Sequence, residues 1–182
     1  FESFSVSPTG DKIWFSRRVK LDETANEKHG MPKAKVRIIN DLMYRHWDSW
    51  VDTYSHVFFA DYDGTKLWND KDILAGEPYQ APLKPFGGIE QVDWNPNSQQ
   101  IVYTCKKLTG KEASLSTNSD LYLYDLESGT TKNLTEGMMG FDIAPLFSPD
   151  GEWISFLSDR GNKNQIYVVR YEGGEAFPVT DE

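Results

Sequence analysis

One pattern centred on a proline occurs three times along the chain. "FSVSPTGDKIWFS" from Phe4, "VDWNPNSQQIVYT" from Val92 and "LFSPDGEWISFLS" from Leu146 align on Pro8, Pro96 and Pro149. Val6, Trp94 and Phe147 precede each Ser/Asn-Pro pair, while Ile13, Ile101 and Ile154 follow each proline by five and Phe15, Tyr103 and Phe156 by seven. Apolar residues two apart share one face of a strand, so each copy reads as a hairpin with one face turned to a core. Thr9-Gly10 and Asp150-Gly151 supply the turn, since glycine accepts positive φ without steric cost; Asn97-Ser98 is a weaker substitute.

Each hairpin leads to a third strand, "VFFAD" from Val57, "LYLYD" from Leu121 and "IYVVR" from Ile166. Turns around Asp63-Gly64, Ser128-Gly129 and Gly173-Gly174 follow, and "TKNLT" and "EAFPVT" read as fourth strands of the later copies. Four antiparallel strands per copy define a propeller blade. A β-sandwich also has short strands and glycine turns, but it gives no reason for residue types to return at fixed offsets. The expected fold is all-β: a partial β-propeller of about three four-stranded antiparallel blades, spanning 1–78, 88–136 and 141–182.

The copies differ mainly between the second and third strands. The stretch from Pro8 to Val57 is far longer than that from Pro96 to Leu121 or from Pro149 to Ile166. In an up-and-down blade, this loop and the link to the next blade lie on one edge, so insertions are expected to collect on one rim, which is where repeat proteins commonly bind. Three blades do not close a ring, since propellers use about four to eight. The first and last blades are therefore expected to show apolar faces that further blades would cover, and the piece to associate with copies of itself.

Composition narrows the partners. Lys and Arg number 19 against 28 Asp and Glu, for a formal charge of -9, and such a field repels a phosphate backbone, so no nucleic acid is expected. No run approaches the roughly 20 apolar residues of a membrane span. "FESFSVSPTG" at the start lacks the basic and apolar parts of a signal peptide and has no initiator Met, so the chain reads as a processed or excised piece. Cys105, the single cysteine, reads as a buried thiol.

Ser-Pro-Asp-Gly at 148–151, "ISF" at 154–156, "SDRGNKNQIYVV" at 158–169 and the closing "PVTD" resemble the propeller repeat of the prolyl oligopeptidase family of serine peptidases. Related repeats occur in periplasmic scaffold propellers. "PKAKVRIINDLMYRHWDSWVD", 32–52, is similar to the long first-blade insertion of bacterial dipeptidyl-peptidase V and acylaminoacyl-peptidase-like enzymes. The resemblance implies a propeller, non-catalytic by itself, that caps an α/β-hydrolase domain and gates and helps bind short peptides in the periplasm or cell envelope. The partners it implies are short peptides, the remaining blades and the hydrolase domain. The alternative is a protein-interaction propeller without an enzyme. This chain has no Gly-x-Ser-x-Gly elbow, so no catalytic residue is assigned.

Within that insertion, residues 38–53 are expected to form one short amphipathic helix. At helical spacing Ile39, Met43, Tyr44, Trp47, Trp50 and Val51 share one side, with Asp41, Arg45, Asp48 and Asp52 opposite. Such a face can simply meet water, with Arg45 pairing to Asp41 or Asp48. The functional expectation is that Asp48 and Asp52, one turn apart, receive a substrate's α-amino group, with Asp41 and Arg45 beside them. His29, His46 and His56 lack ligand spacing, and no metal or cofactor is expected. Asp159-Arg160 reads as a turn pair and Asn133-Leu134-Thr135 as a chance glycosylation pattern. Residues 108–120 read as a mobile rim loop.

Overall fold

A computed structural model describes residues 1–42 and 44–180. Blade one begins with β1 (Phe4–Val6) and β2 (Lys12–Val19). An insertion then holds α1 (Ala25–Lys28) and the two-residue strands β3 (Arg45–His46) and β4 (Ser49–Trp50). The blade is completed by β5 (Tyr54–Tyr62) and β6 (Leu67–Asp72). Blade two comprises β7 (Val92–Trp94), β8 (Gln100–Cys105), β9 (Asp120–Asp125) and β10 (Thr131–Asn133), with α2 (Gly110–Leu115) between β8 and β9. Blade three comprises β11 (Ile143–Phe147), β12 (Trp153–Ser158), β13 (Gln165–Arg170) and β14 (Phe177–Pro178). All three are four-stranded antiparallel sheets in sequential order, the partial propeller expected from the repeat.

The repeated offsets are the strand register itself. Val6 lies opposite Ile13, Trp94 opposite Ile101 and Phe147 opposite Ile154. Gly10 and Gly151 take φ of 78° and 75° in the connecting turns, and Ser98 takes the equivalent position at 60°.

Alternation along the strands divides the core into layers. Trp14, Val57 and Phe59 of blade one pack with Trp94, Ile101, Tyr103 and Tyr124 of blade two. Val102, Leu121 and Leu123 on the other face of blade two pack with Ile154, Phe156 and Val169 of blade three. Fully burying one such large side chain contributes about 2–3 kcal/mol, so the two layers supply the main attraction between blades. Hydrogen bonds then set the alignment: Trp94 Nε1 donates to Ser5 O at 3.2 Å, and Phe147 N donates to Asp93 Oδ2 at 2.8 Å.

The two outer faces differ. On blade three Leu146, Leu157, Ile166 and Phe177 are exposed, as an end blade with an apolar face requires. On blade one Phe4 and Val6 are exposed, but Ile13, Phe15, Phe58 and Ala60 are buried. Phe1 stacks edge-on against Phe15 at 4.8 Å between centroids, and the Arg17 guanidinium lies 4.1 Å from the Phe58 ring centre. The expectation of an open apolar face on the first blade is corrected to that extent: Phe1, ahead of the first strand, and Arg17 cover its centre.

The helix expected over 38–53 is also corrected. The insertion's short helix is α1, and residues 45–50 form the β3/β4 hairpin, in which Arg45 lies opposite Trp50 and His46 opposite Ser49. Trp47 turns the chain at φ of 50°, Tyr44 and Trp50 rings sit 6.2 Å apart, and Arg45 lies 4.9 Å over the Trp50 ring. Aromatic and β-branched residues suit such cross-strand contacts and carry poor helix propensity, so the apolar spacing is realised in a hairpin. Met43 lies outside the described residues. α1 has a reciprocal capping box, where 38–53 offers only Asn40 or Asp41 as a single cap: Thr24 Oγ1 accepts from Glu27 N, and the Glu27 carboxylate accepts from Thr24 N at 2.8 Å.

Candidate functional site

Tight turns occupy one edge of the blades, and the long links occupy the other. The insertion, the link from blade one to blade two and the β8–β9 link together line a cleft of about 350 Å³. Trp47 of the hairpin meets Phe86 of the inter-blade link edge-on at 5.1 Å, and Phe86 lines the cleft. Asp41 abuts Gly110 so closely that its carboxylate fills the place an added Cβ would take, so the insertion and α2 are in direct contact. A second, wider cavity of about 960 Å³ lies within the insertion itself, between α1 and residues 35–54.

The four residues singled out from the sequence do not form a helical face. Asp41 Oδ1 accepts from the Leu42 N–H at 2.7 Å. Arg45 donates to the backbone carbonyl of Asp48 at 3.1 Å. Asp48 occupies the hairpin turn and accepts from Ser49 Oγ at 3.1 Å. Asp52, beyond the end of β4, is ion-paired with Arg37, whose guanidinium also covers Trp50 at 4.2 Å. All four are exposed. Asp48 and Asp52 are separated by an extended strand, on the order of 10 Å of chain, rather than by one helical turn.

The cleft draws on residues that no sequence pattern marked. Its apolar wall includes Tyr79, Leu83, Phe86 and Ala113, and its charged side chains are Lys84 and Lys106, with His46 alongside. No Asp or Glu lines it among the described residues. Lys84 donates to Glu2 Oε2 at 2.7 Å. Burial raises the Glu2 carboxyl, but the hydrogen bonds from Lys84 and Arg18 outweigh it and hold the group at about 2. Lys106 Nζ donates to the carbonyls of Ala113, at 2.6 Å, and Ser116, closing the C-terminal end of α2. Burial lowers its pKa, and among the described residues no carboxylate lies within ion-pair distance of it. The loop expected at 108–120 is thus partly a helix held by a lysine. Thr109-x-x-Glu112 repeats the spacing of the α1 capping box, but the Thr109 side chain makes no cap hydrogen bond, and the lysine holds the other end.

Other candidates have structural roles. His56 is buried, with Nδ1 2.8 Å from Asp72 Oδ2 and Nε2 3.0 Å from Glu77 O. No group of three metal-ligating side chains occurs among the described residues. Burial pushes the Cys105 thiol up to about 12. Asn133 donates to Asp120 at 2.9 Å and accepts from Thr135 N at 3.0 Å. No helix among the described residues is long and apolar enough to cross a membrane.

Sequential four-stranded blades with their long loops gathered on one rim define a β-propeller segment with an elaborated mouth. The chain belongs to the TolB beta propeller domain family, whose model matches residues 87–182. It is 47% identical over 156 residues to dipeptidyl-peptidase 5 of Porphyromonas gingivalis, covering 85% of this chain and 23% of that protein. The match to dipeptidyl-peptidase 5 of Porphyromonas endodontalis is 43% identical over 168 residues, covering 92% of this chain and 24% of that protein. The chain thus spans about a quarter of these curated relatives and is homologous to the propeller region of dipeptidyl-peptidases. A puromycin-hydrolyzing peptidase of Mycobacterium tuberculosis shares the fold over 99% of this chain and 23% of its own, with a TM-score of 0.59 at 12% identity.

Proposed function

We propose that this chain is the propeller part of a serine exopeptidase of the dipeptidyl-peptidase type, exported to the periplasm or cell envelope, where it admits and helps bind short peptides. The observation that carries this reading is the convergence of three independent links on one rim cleft, in a chain homologous to the propeller region of dipeptidyl-peptidases. A volume of about 350 Å³ suits a few side chains and excludes a folded polypeptide. The remaining blades and the hydrolase domain that supplies catalysis belong to the rest of the parent protein.

On this reading Asp48 in the hairpin turn and the flanking Asp41 and Asp52, with Arg45, face the amino end of the substrate. Asp48 is the strongest of these, since Asp52 is shared with Arg37 and Asp41 is held against Gly110. Trp47 and Trp50 make the rim its own reporter. Titration of the chain with tripeptides, followed by tryptophan fluorescence, is expected to give saturable binding that Phe86→Ala weakens. Absence of binding at any soluble peptide concentration overturns the proposal.

A further inference from the structure

We infer that the rim cleft recognises the free C-terminal carboxylate of a short peptide through Lys106, with the last side chain held against Tyr79 and Phe86. This rests on the proposed peptide-binding role and specifies which end of the peptide the cleft takes.

The chain carries a formal charge of -9, yet the charged side chains of the cleft are Lys84 and Lys106, and no described acid lines it. Lys84 is neutralised by Glu2. Lys106 is not: its ammonium rests on the carbonyls of Ala113 and Ser116, which offer partial charges only. An ammonium has three N–H donors, so these two contacts leave one. A carboxylate arriving from the cleft completes the set and supplies the missing countercharge in a partly desolvated place, where a charge-assisted hydrogen bond is stronger than a neutral one.

The cleft's shape restricts what brings that carboxylate. Tyr79, Leu83, Phe86 and Ala113 form an apolar wall beside Lys106, so an apolar final residue with a free carboxylate fits both features. A peptide amide offers the same side chain without the charge.

Three probes decide the matter in the intact chain: Gly-Pro-Phe, its C-terminal amide, and Gly-Pro-Glu amide, which carries a carboxylate only on a side chain. The free acid is expected to bind about tenfold or more tighter than Gly-Pro-Phe amide and than Gly-Pro-Glu amide. Lys106→Met should abolish that preference and Lys106→Arg should retain it, with circular dichroism confirming that both variants fold. Equal binding of acid and amide overturns this inference and leaves peptide binding intact. Equal binding of the two carboxylate-bearing probes overturns recognition of the terminus. A preference that survives in folded Lys106→Met overturns the role of Lys106. Failure of all three probes to bind overturns both this inference and the proposed function.

Discussion

The Asp93 carboxylate accepts the backbone N–H of Phe147 at 2.8 Å, so a side chain on the innermost strand of blade two takes up a donor on the innermost strand of blade three. The neighbouring residue, Trp94, makes the matching contact to Ser5 on the other side. Consecutive residues of β7 thus face opposite blades, a direct use of strand alternation. Asp93→Ala is expected to cost about 1–3 kcal/mol by leaving the Phe147 donor unmet, and Asp93→Asn, which keeps an acceptor, to cost less. Chemical denaturation of both variants measures the difference. Burial raises the Asp93 pKa above its usual 3.8. Its contribution is therefore fully present below that value and declines as pH rises through the raised value, and Asp93→Asn should remove this decline.

Glu2 gives the opposite sign. Its carboxylate accepts from Arg18 at 2.9 Å, Lys84 at 2.7 Å and Ser55 at 3.0 Å, tying the first residues to β2, β5 and the inter-blade link. With the group held at about 2 against an ordinary 4.5, its stabilisation is present above 4.5 and lost as pH falls toward 2. Melting temperatures of the chain and of Glu2→Gln are expected to converge across that interval. Parallel curves from pH 5 down to 2 would contradict the assignment.

Ser98 occupies the turn position that its two counterparts fill with glycine, and a left-handed backbone costs an ordinary residue about 1 kcal/mol. It is buried, and its Oγ accepts the Thr9 N–H at 3.1 Å, joining the turns of blades one and two. The hydroxyl thus offsets the strain. Ser98→Ala should lose about 1 kcal/mol, because it keeps the strain and gives up the hydrogen bond, whereas Ser98→Gly should lie near the parent. Urea melts of the pair distinguish the two terms.

The blades were legible because a proline-centred turn locks register: Val6 opposite Ile13, Trp94 opposite Ile101 and Phe147 opposite Ile154 are consequences of one spacing repeated. The insertion was not, because apolar residues at helical spacing, Tyr44 and Trp50 among them, can equally meet across a hairpin, where Arg45 then lies over the Trp50 ring. Capping was the better guide, and Thr24-x-x-Glu27 marks the helix that does form. The cleft was out of reach for a different reason. Lys84 and Lys106 come from separate links, and only the packing of blade one on blade two brings them to one wall.

Asp142 and Arg160 form the most buried ion pair among the described residues, with Oδ2 2.5 Å from Nη2 and the carboxylate wholly inaccessible. Arg160 also donates to Ser158 Oγ at 2.9 Å and lies over the rings of Phe156 and Tyr167 at 5.2 and 4.9 Å. It thus extends the turn beside Asp159, whose Oδ1 accepts the Phe141 N–H at 2.7 Å, into a clamp between the entry to β11 and the β12–β13 link. Losing either partner is unequal in cost. Arg160→Ala leaves a carboxylate with no solvent access, one oxygen of which already lacks a hydrogen-bond partner among the described residues, so about 3–5 kcal/mol should be lost. Asp142→Ala leaves a guanidinium that retains slight exposure and its aromatic neighbours, so it should cost less. Because the charge stranded in the first variant is absent from the double variant, the two losses should sum to more than the loss in Asp142→Ala/Arg160→Ala. A double-mutant cycle from denaturant midpoints checks this, and strict additivity would show that the pair does not act as a unit.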